Sequence, residues 1–261
     1  LAKFDAIERM AERFPQDIEI ARSADDVERI AKRGKLVACI GIENGYPMGR
    51  DLSRIAEYHR RGARYMSITH NRHSQLGDSH TPAKPLHGGL SELGRKAIAE
   101  MNRVGIMVDI SHSSKTTMLE ATAASKAPVI ASHSACHAVF AHGRNLDDEQ
   151  LRVLRDNGGV IQIVAFATYI KSYEARRAAL KRLREATPQD ERKGARYAAA
   201  LAKIDREHPP SDVRDVCDHV DHAVRTIGLE HVAISSDFDG GGGVDGWRDA
   251  SETFDVTLEL V

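Results

Sequence analysis

Cysteine is scarce: Cys39, Cys136 and Cys217 are the only three in 261 residues, and no two form a C-x-x-C pair. An odd, scattered set builds neither a disulfide framework nor a thiolate zinc site, so these read as small, partly buried side chains. Long apolar runs are missing too. No stretch approaches the roughly 20 residues that span a bilayer, and the first residues carry no signal-peptide pattern, so no membrane span is expected in this chain. The compartment then depends on what precedes Leu1: exported or periplasmic if a leader does, cytoplasmic otherwise. Neither charge sign is in excess. With 37 Lys and Arg against 38 Asp and Glu, the net charge of −1 leaves no footprint for nucleic acid or an anionic membrane surface.

What the chain does have is histidine, 13 in all, several of them just after apolar runs. A length of 261 residues with 41% hydrophobic composition suits one large α/β domain over 1–261. The chain opens in one amphipathic helical pattern (LAKFDAIERMAERF) and stops in another (ASETFDVTLELV), so a piece of a longer protein is expected.

Between those ends, apolar runs alternate with helical patterns. KLVACIGIEN reads as one buried strand ending on Glu43, and RYMSITH as a strand ending on His70. The MVDISH and PVIASH runs end on His112 and His133, VIQIVAF follows, and HVAISSDFD is the last strand, ending on Asp237 and Asp239. Residues 71–89 form a loop too long for a simple connector, which is expected to border a site. The highly charged residues 168–212 read as a helical insertion after a strand end. His219 and His222 read as surface or packing residues.

About six β-α units with every strand running the same way fit either a doubly wound sheet or a TIM-type (β/α)₈ barrel lacking two units. The barrel is favoured because only a closed barrel gathers five strand ends around one mouth.

Glu43, His112, His133 and Asp237 are oxygen and nitrogen donors without thiolate, a set suited to a hydrolytic zinc or related divalent site. The alternative, histidines that merely hydrogen-bond at strand ends, stays open on spacing alone. Asp237 is a candidate proton carrier and His70 a candidate oxyanion donor. Arg144, in AVFAHGRNLDD, is a candidate for gripping a substrate carboxylate or simply a surface arginine. Gly240 to Gly243 lack the P-loop spacing and read as a flexible turn.

The strings GIEN, RYMSITHNR, GLSELGRKAIAEMNRVGIMVDISH, SKAPVIASHSACHAV, RNLDDEQL and ISSDFDGGGG resemble the membrane (renal) dipeptidase family, the M19 zinc peptidases, in order and spacing from about Leu36 to Gly243. The resemblance implies an amidohydrolase-type (β/α)₈ barrel with two zinc ions that cleaves dipeptides, often with a D-residue at the C-terminal position. It makes Glu43 the carboxylate bridging two ions, and His112 and His133 the ligands of one of them. His70 would contact the scissile carbonyl, Arg144 the substrate carboxylate, and Asp237 would be the acid/base residue. The family's His-x-Asp pair on the first strand has no counterpart before Glu43, which by the resemblance would place the barrel's two missing β-α units at the N-terminus, and Asn44 stands where many members have Gly. The implied enzyme is a zinc metallo-dipeptidase working through a metal-bridging hydroxide on a small dipeptide, with assembly open up to a homodimer. Two alternatives stand beside it: a hydrolase of cyclic amides, lactones or deaminase substrates, and a degenerate non-catalytic member.

Overall fold

Local signals start and stop the helices. The computed structural model describes residues 1–261, beginning with α1 (Ala2–Arg13), β1 (Ile18–Ile20) and α2 (Ala24–Ala31). Ser23 caps α2 by accepting from the Asp26 backbone N–H. Next come β2 (Leu36–Ala38), β3 (Ile40–Ile42), α3 (Ser53–Arg60), β4 (Ala63–Ser67), α4 (Glu92–Val104), β5 (Met107–Asp109) and α5 (Lys115–Ala124). Helix α4 starts at a Ser91 cap and stops at Gly105, whose φ of 89° is one that glycine adopts without strain.

The rest is β6 (Ile130–Ser134), α6 (Asp148–Asp156), β7 (Val160–Val164), α7 (Ala167–Ile170), α8 (Glu174–Ala186), α9 (Ala195–Glu207), α10 (Val213–Ile227), β8 (Val232–Ser235) and α11 (Thr253–Leu260). A capping box between Asp212 and Asp215 opens α10. No helix is long and apolar enough to cross a membrane.

The chain divides into two compact units, residues 1–132 with 152–160, and residues 133–151 with 161–261. In the first, β3, β4 and β5 pair in parallel, and Asp109 of β5 pairs with Ile130 at the start of β6. Parallel strands need crossovers that cover the sheet, and α3, α4 and α5 supply them. Ile55, Ile98, Met101 and Met118 of those helices are buried with Met66 and Val108 of the strands. Each such side chain contributes about 1.5–3 kcal/mol when taken out of water.

The expected single strand KLVACIGIEN is two. Leu36–Ala38 pairs in parallel with β1, whereas Ile40–Ile42 pairs with β4 through a register shift at Ile40/Gly41. The chain changes partner at Cys39, which neither ladder includes. A continuous apolar run hides such a change, because both halves carry strand-forming residues.

Gly94 is the tightest backbone approach in this unit. A Cβ there would lie 2.1 Å from the Leu76 carbonyl oxygen, so α4 sits against the loop only because position 94 has no side chain. Gly94→Ala is expected to lower stability by about 3 kcal/mol, the upper range for overpacking. Denaturant unfolding monitored by circular dichroism checks it.

In the second unit, β7 and β8 pair in parallel from Ile161↔Val232 to Val164↔Ser235. Helix α10 buries Val216, Val220, Ala223 and Ile227. The insertion expected at about 168–212 is helical: α7, α8, a 3₁₀ turn at Gln189–Lys193 and α9. Helix α8 buries no residue and α9 buries only Ile204, and seven of the 13 residues of α8 and five of the 13 of α9 are charged, so both helices lie largely in water.

Candidate active site

Three of the expected site residues meet in the first unit. Glu43 directly follows β3, and His70 and His112 sit in the turns after β4 and β5. Parallel pairing points all three strand ends the same way. The Glu43 Oε1 lies 3.2 Å from His112 Nε2 and 3.6 Å from His70 Nε2. The two imidazole centroids are 4.4 Å apart, and one donor atom from each residue fits within 4.8 Å of the others. Two imidazoles and a carboxylate that converge without thiolate are a donor set for zinc or a similar divalent cation. Their exposures differ: the His112 side chain is 5% exposed, His70 39% and Glu43 50%.

Backbone strain falls at or beside expected site residues of both units. Only three non-glycine residues have positive φ: Asn44 at 78°, His112 at 66° and Asp237 at 54°. Two belong to the expected site and Asn44 follows Glu43. Left-handed conformations cost L-residues about 1–2 kcal/mol, and residues held in them cluster where surroundings over-determine the backbone. Asparagine tolerates this region better than most residues, which accounts for Asn44 at a position where a glycine would also serve. Its N–H donates to Ser67 Oγ at 2.6 Å and its Oδ1 accepts from the Tyr46 N–H at 3.1 Å.

Asp109 supports the His112 turn from below. This 1% exposed carboxylate accepts from the Ser111 N–H at 2.9 Å and from the Ser132 N–H and hydroxyl at 3.1 and 2.6 Å. Sequence reading passed over it as one acid inside an apolar run.

His133, Arg144 and Asp237 belong to the second unit. His133 lies inside β6 rather than past its end. Arg144 is 4% exposed, which excludes the reading as a surface arginine. Its Nη1 donates to Ser134 Oγ at 2.7 Å, its Nη2 donates to the His133 carbonyl, and its guanidinium lies 5.7 Å from the Tyr169 ring centroid. Beside it, burial lowers the His142 pKa, with the nearby Arg144 charge adding to the effect, so that ring is neutral at pH 7.

The glycines after β8 have a steric role. A Cβ at Gly240 would lie 2.2 Å from Asp237 Oδ1, and one at Gly242 would lie 2.0 Å from the Ser236 carbonyl. The N–H groups of Gly240 and Gly242 donate to the Asp237 carbonyl at 3.0 and 2.7 Å. The run therefore folds tightly around Asp237.

His219 is a packing residue. Its Nδ1 accepts from the Cys136 N–H at 2.9 Å, and its Nε2 lies 3.0 Å from the Ile170 carbonyl. Burial pushes the Cys136 thiol up to about 12 and the Cys217 thiol up to about 11. Neither is a thiolate at neutral pH.

Comparison with known proteins places the chain in a family. The dipeptidase aclJ of Aspergillus oryzae is 34% identical over 262 residues, which is 99% of this chain and 54% of that protein. The chain thus spans about half the length of the curated relatives it matches. Among solved structures, the probable dipeptidase PvdM from Pseudomonas aeruginosa superposes with a TM-score of 0.85 at 34% identity, covering 98% of this chain and 71% of that one. A metallo peptidase from Rhodobacter sphaeroides, liganded with a phosphinate mimic of L-Ala-D-Ala, has the same fold, with a TM-score of 0.79 at 24% identity over 98% of this chain and 65% of that one. The family model for membrane dipeptidase, peptidase family M19, matches residues 1–261. On a match that long, with relatives this similar, the chain belongs to the membrane dipeptidase family.

Proposed function

We propose that the protein is a zinc-dependent dipeptidase whose metal is held by Glu43 and His112 together with His133. The convergence of the Glu43, His70 and His112 donor atoms within 4.8 Å carries this reading. A divalent cation bound there supplies positive charge that polarises a scissile carbonyl and makes water a nucleophile near neutral pH. Exposure separates the roles of the two imidazoles in the first unit. The buried His112 suits a ligand, and the more exposed His70 suits a donor that faces the carbonyl oxygen as negative charge develops on it. Asp237 takes and returns the proton that the leaving amine requires. Zinc content of the full-length protein, with hydrolysis of a dipeptide panel set against cyclic amides and lactones, tests the reading. Absence of bound metal, or turnover confined to the cyclic substrates, would overturn it.

The architecture we propose is the eight-stranded β/α barrel, of which this chain carries part. The support is the share of the relatives that this chain spans.

Arg144 selects a free substrate carboxylate in this scheme. Its guanidinium, which donates from Nη1 to Ser134 Oγ and from Nη2 to the His133 carbonyl, is the planar fork that suits carboxylates. Arg144→Lys keeps the charge and loses the fork. It is expected to raise KM for dipeptides by about 10- to 100-fold, equivalent to the roughly 1.5–3 kcal/mol of a hydrogen bond to a charged group. Steady-state kinetics decide: a fall in kcat at constant KM would assign Arg144 to holding His133 instead.

A further inference from the structure

Residues 71–89 hold no helix and no strand beyond isolated bridges. A stretch that long stays ordered only if something inside it replaces a ladder or a helix. Asp78, 2% exposed, fills that place. Its Oδ1 accepts from the Leu86 and His87 N–H groups at 2.9 and 3.0 Å, and its Oδ2 accepts from the Gly89 and His87 N–H groups at 3.0 and 3.2 Å. Burial by itself raises the pKa of this carboxyl. The donors from Leu86, His87 and Gly89, with His73 nearby, more than reverse that, and the net shift is downward. A lowered pKa means that the stabilisation is present above the ordinary carboxylate range and is lost only as pH falls through the folded-state value.

His73 closes the other side of the loop. Its Nε2 lies 2.8 Å from the Lys84 carbonyl, so it carries the hydrogen that is donated there. Its Nδ1 lies 3.0 Å from the Ser79 backbone nitrogen and 3.1 Å from Asp78 Oδ1, so the ring also touches the carboxylate.

The loop pinned in this way grips the backbone of His70 and His112 and the turn that follows Glu43. Gln75 Nε2 donates to the Gly45 and Gly49 carbonyls at 3.0 and 2.8 Å, in the turn that follows Glu43. The Ser79 hydroxyl donates to the His70 carbonyl. The His80 N–H donates to the His112 carbonyl at 3.0 Å, and the Ser114 N–H donates to the Asp78 carbonyl at 2.9 Å. Three strand ends are thus tied to one loop, and the loop is folded on one carboxylate.

We infer that Asp78 is the positioning residue of the candidate metal centre, its carboxylate folding residues 71–89 into the clasp that aligns Glu43, His70 and His112. The inference rests on the metal-site reading above, and its test separates the two. In the full-length protein, Asp78→Asn puts an amide donor against the N–H groups that the carboxylate now accepts from. Zinc affinity, by competition with a chelator, is expected to weaken about 10- to 100-fold, the range seen for groups that orient ligands. Amide exchange in the metal-free protein is expected to quicken at His80, Leu86, His87 and Gly89 and to stay unchanged in α4 and α5. Ile98→Val, which thins the α4 core, should lower the melting temperature and move neither readout. Unchanged zinc affinity in Asp78→Asn, or faster exchange spread evenly over the unit, would overturn the inference. Should Asp78→Asn not fold, His73→Gln is expected to weaken zinc binding in the same direction, and wild-type affinity in that variant would overturn the inference equally. If the native protein binds no zinc, the dipeptidase reading fails, and the exchange pattern alone decides on Asp78.

Discussion

Glu43→Gln in the full-length protein is expected to abolish tight metal binding. Affinity should fall by more than about 100-fold, the upper end of what removal of a merely orienting group costs. The substitution keeps the size and shape of the side chain and removes its charge. Metal ligands of this class bind in their deprotonated, charged form, and a neutral amide can turn its NH₂ toward the imidazoles. The nearest of these, His112 Nε2, lies 3.2 Å from the present carboxylate oxygen. Half of the Glu43 side chain is exposed, so folding should survive and the loss should appear as metal content rather than yield. Elemental analysis of the purified variant, with a chelator titration, reads the effect. A variant that keeps the native zinc content would remove Glu43 from the ligand set.

His70→Ala should behave differently. Zinc content is expected to match the native protein while kcat falls about 10²- to 10³-fold, the cost of deleting one donor to a developing oxyanion. The expectation follows from exposure: His70 keeps 39% of its side chain open and His112 only 5%. A substrate can reach the first ring more readily than the second. Kinetics and metal analysis on the same preparation separate the two roles, since joint loss of metal and activity would make His70 a ligand as well.

Much of the first unit was legible because its signals are local. Apolar runs that end on a polar side chain mark parallel strands and their exits, so Glu43, His70 and His112 could be placed on adjacent turns from spacing alone. The caps at Ser23 and Ser91 and the stop at Gly105 are local signals of the same kind.

What escaped depends on contacts distant in sequence. The break at Cys39 is set by which neighbours the two halves pair with, β1 and β4, and composition does not encode that choice. The glycines after Asp237 looked like a flexible turn, but a Cβ at Gly240 or Gly242 would strike a nearby atom, and Gly241 and Gly243 hold positive φ. Asp78 and Asp109 were invisible as anchors because a lone acid in a loop or strand usually means solvent. Only the N–H groups brought around each one show otherwise.

The sparse anchoring of α8 and α9 has a practical consequence. With only Ile204 buried between them, this arm is fastened mainly by polar contacts such as Arg176 with Asp205 and Lys171 with Asp215. Segments with few buried apolar contacts open locally at far lower free energy than the whole molecule. A trypsin-like protease at low dose should therefore nick the chain first between Arg177 and Lys193, leaving two fragments that stay associated under native conditions.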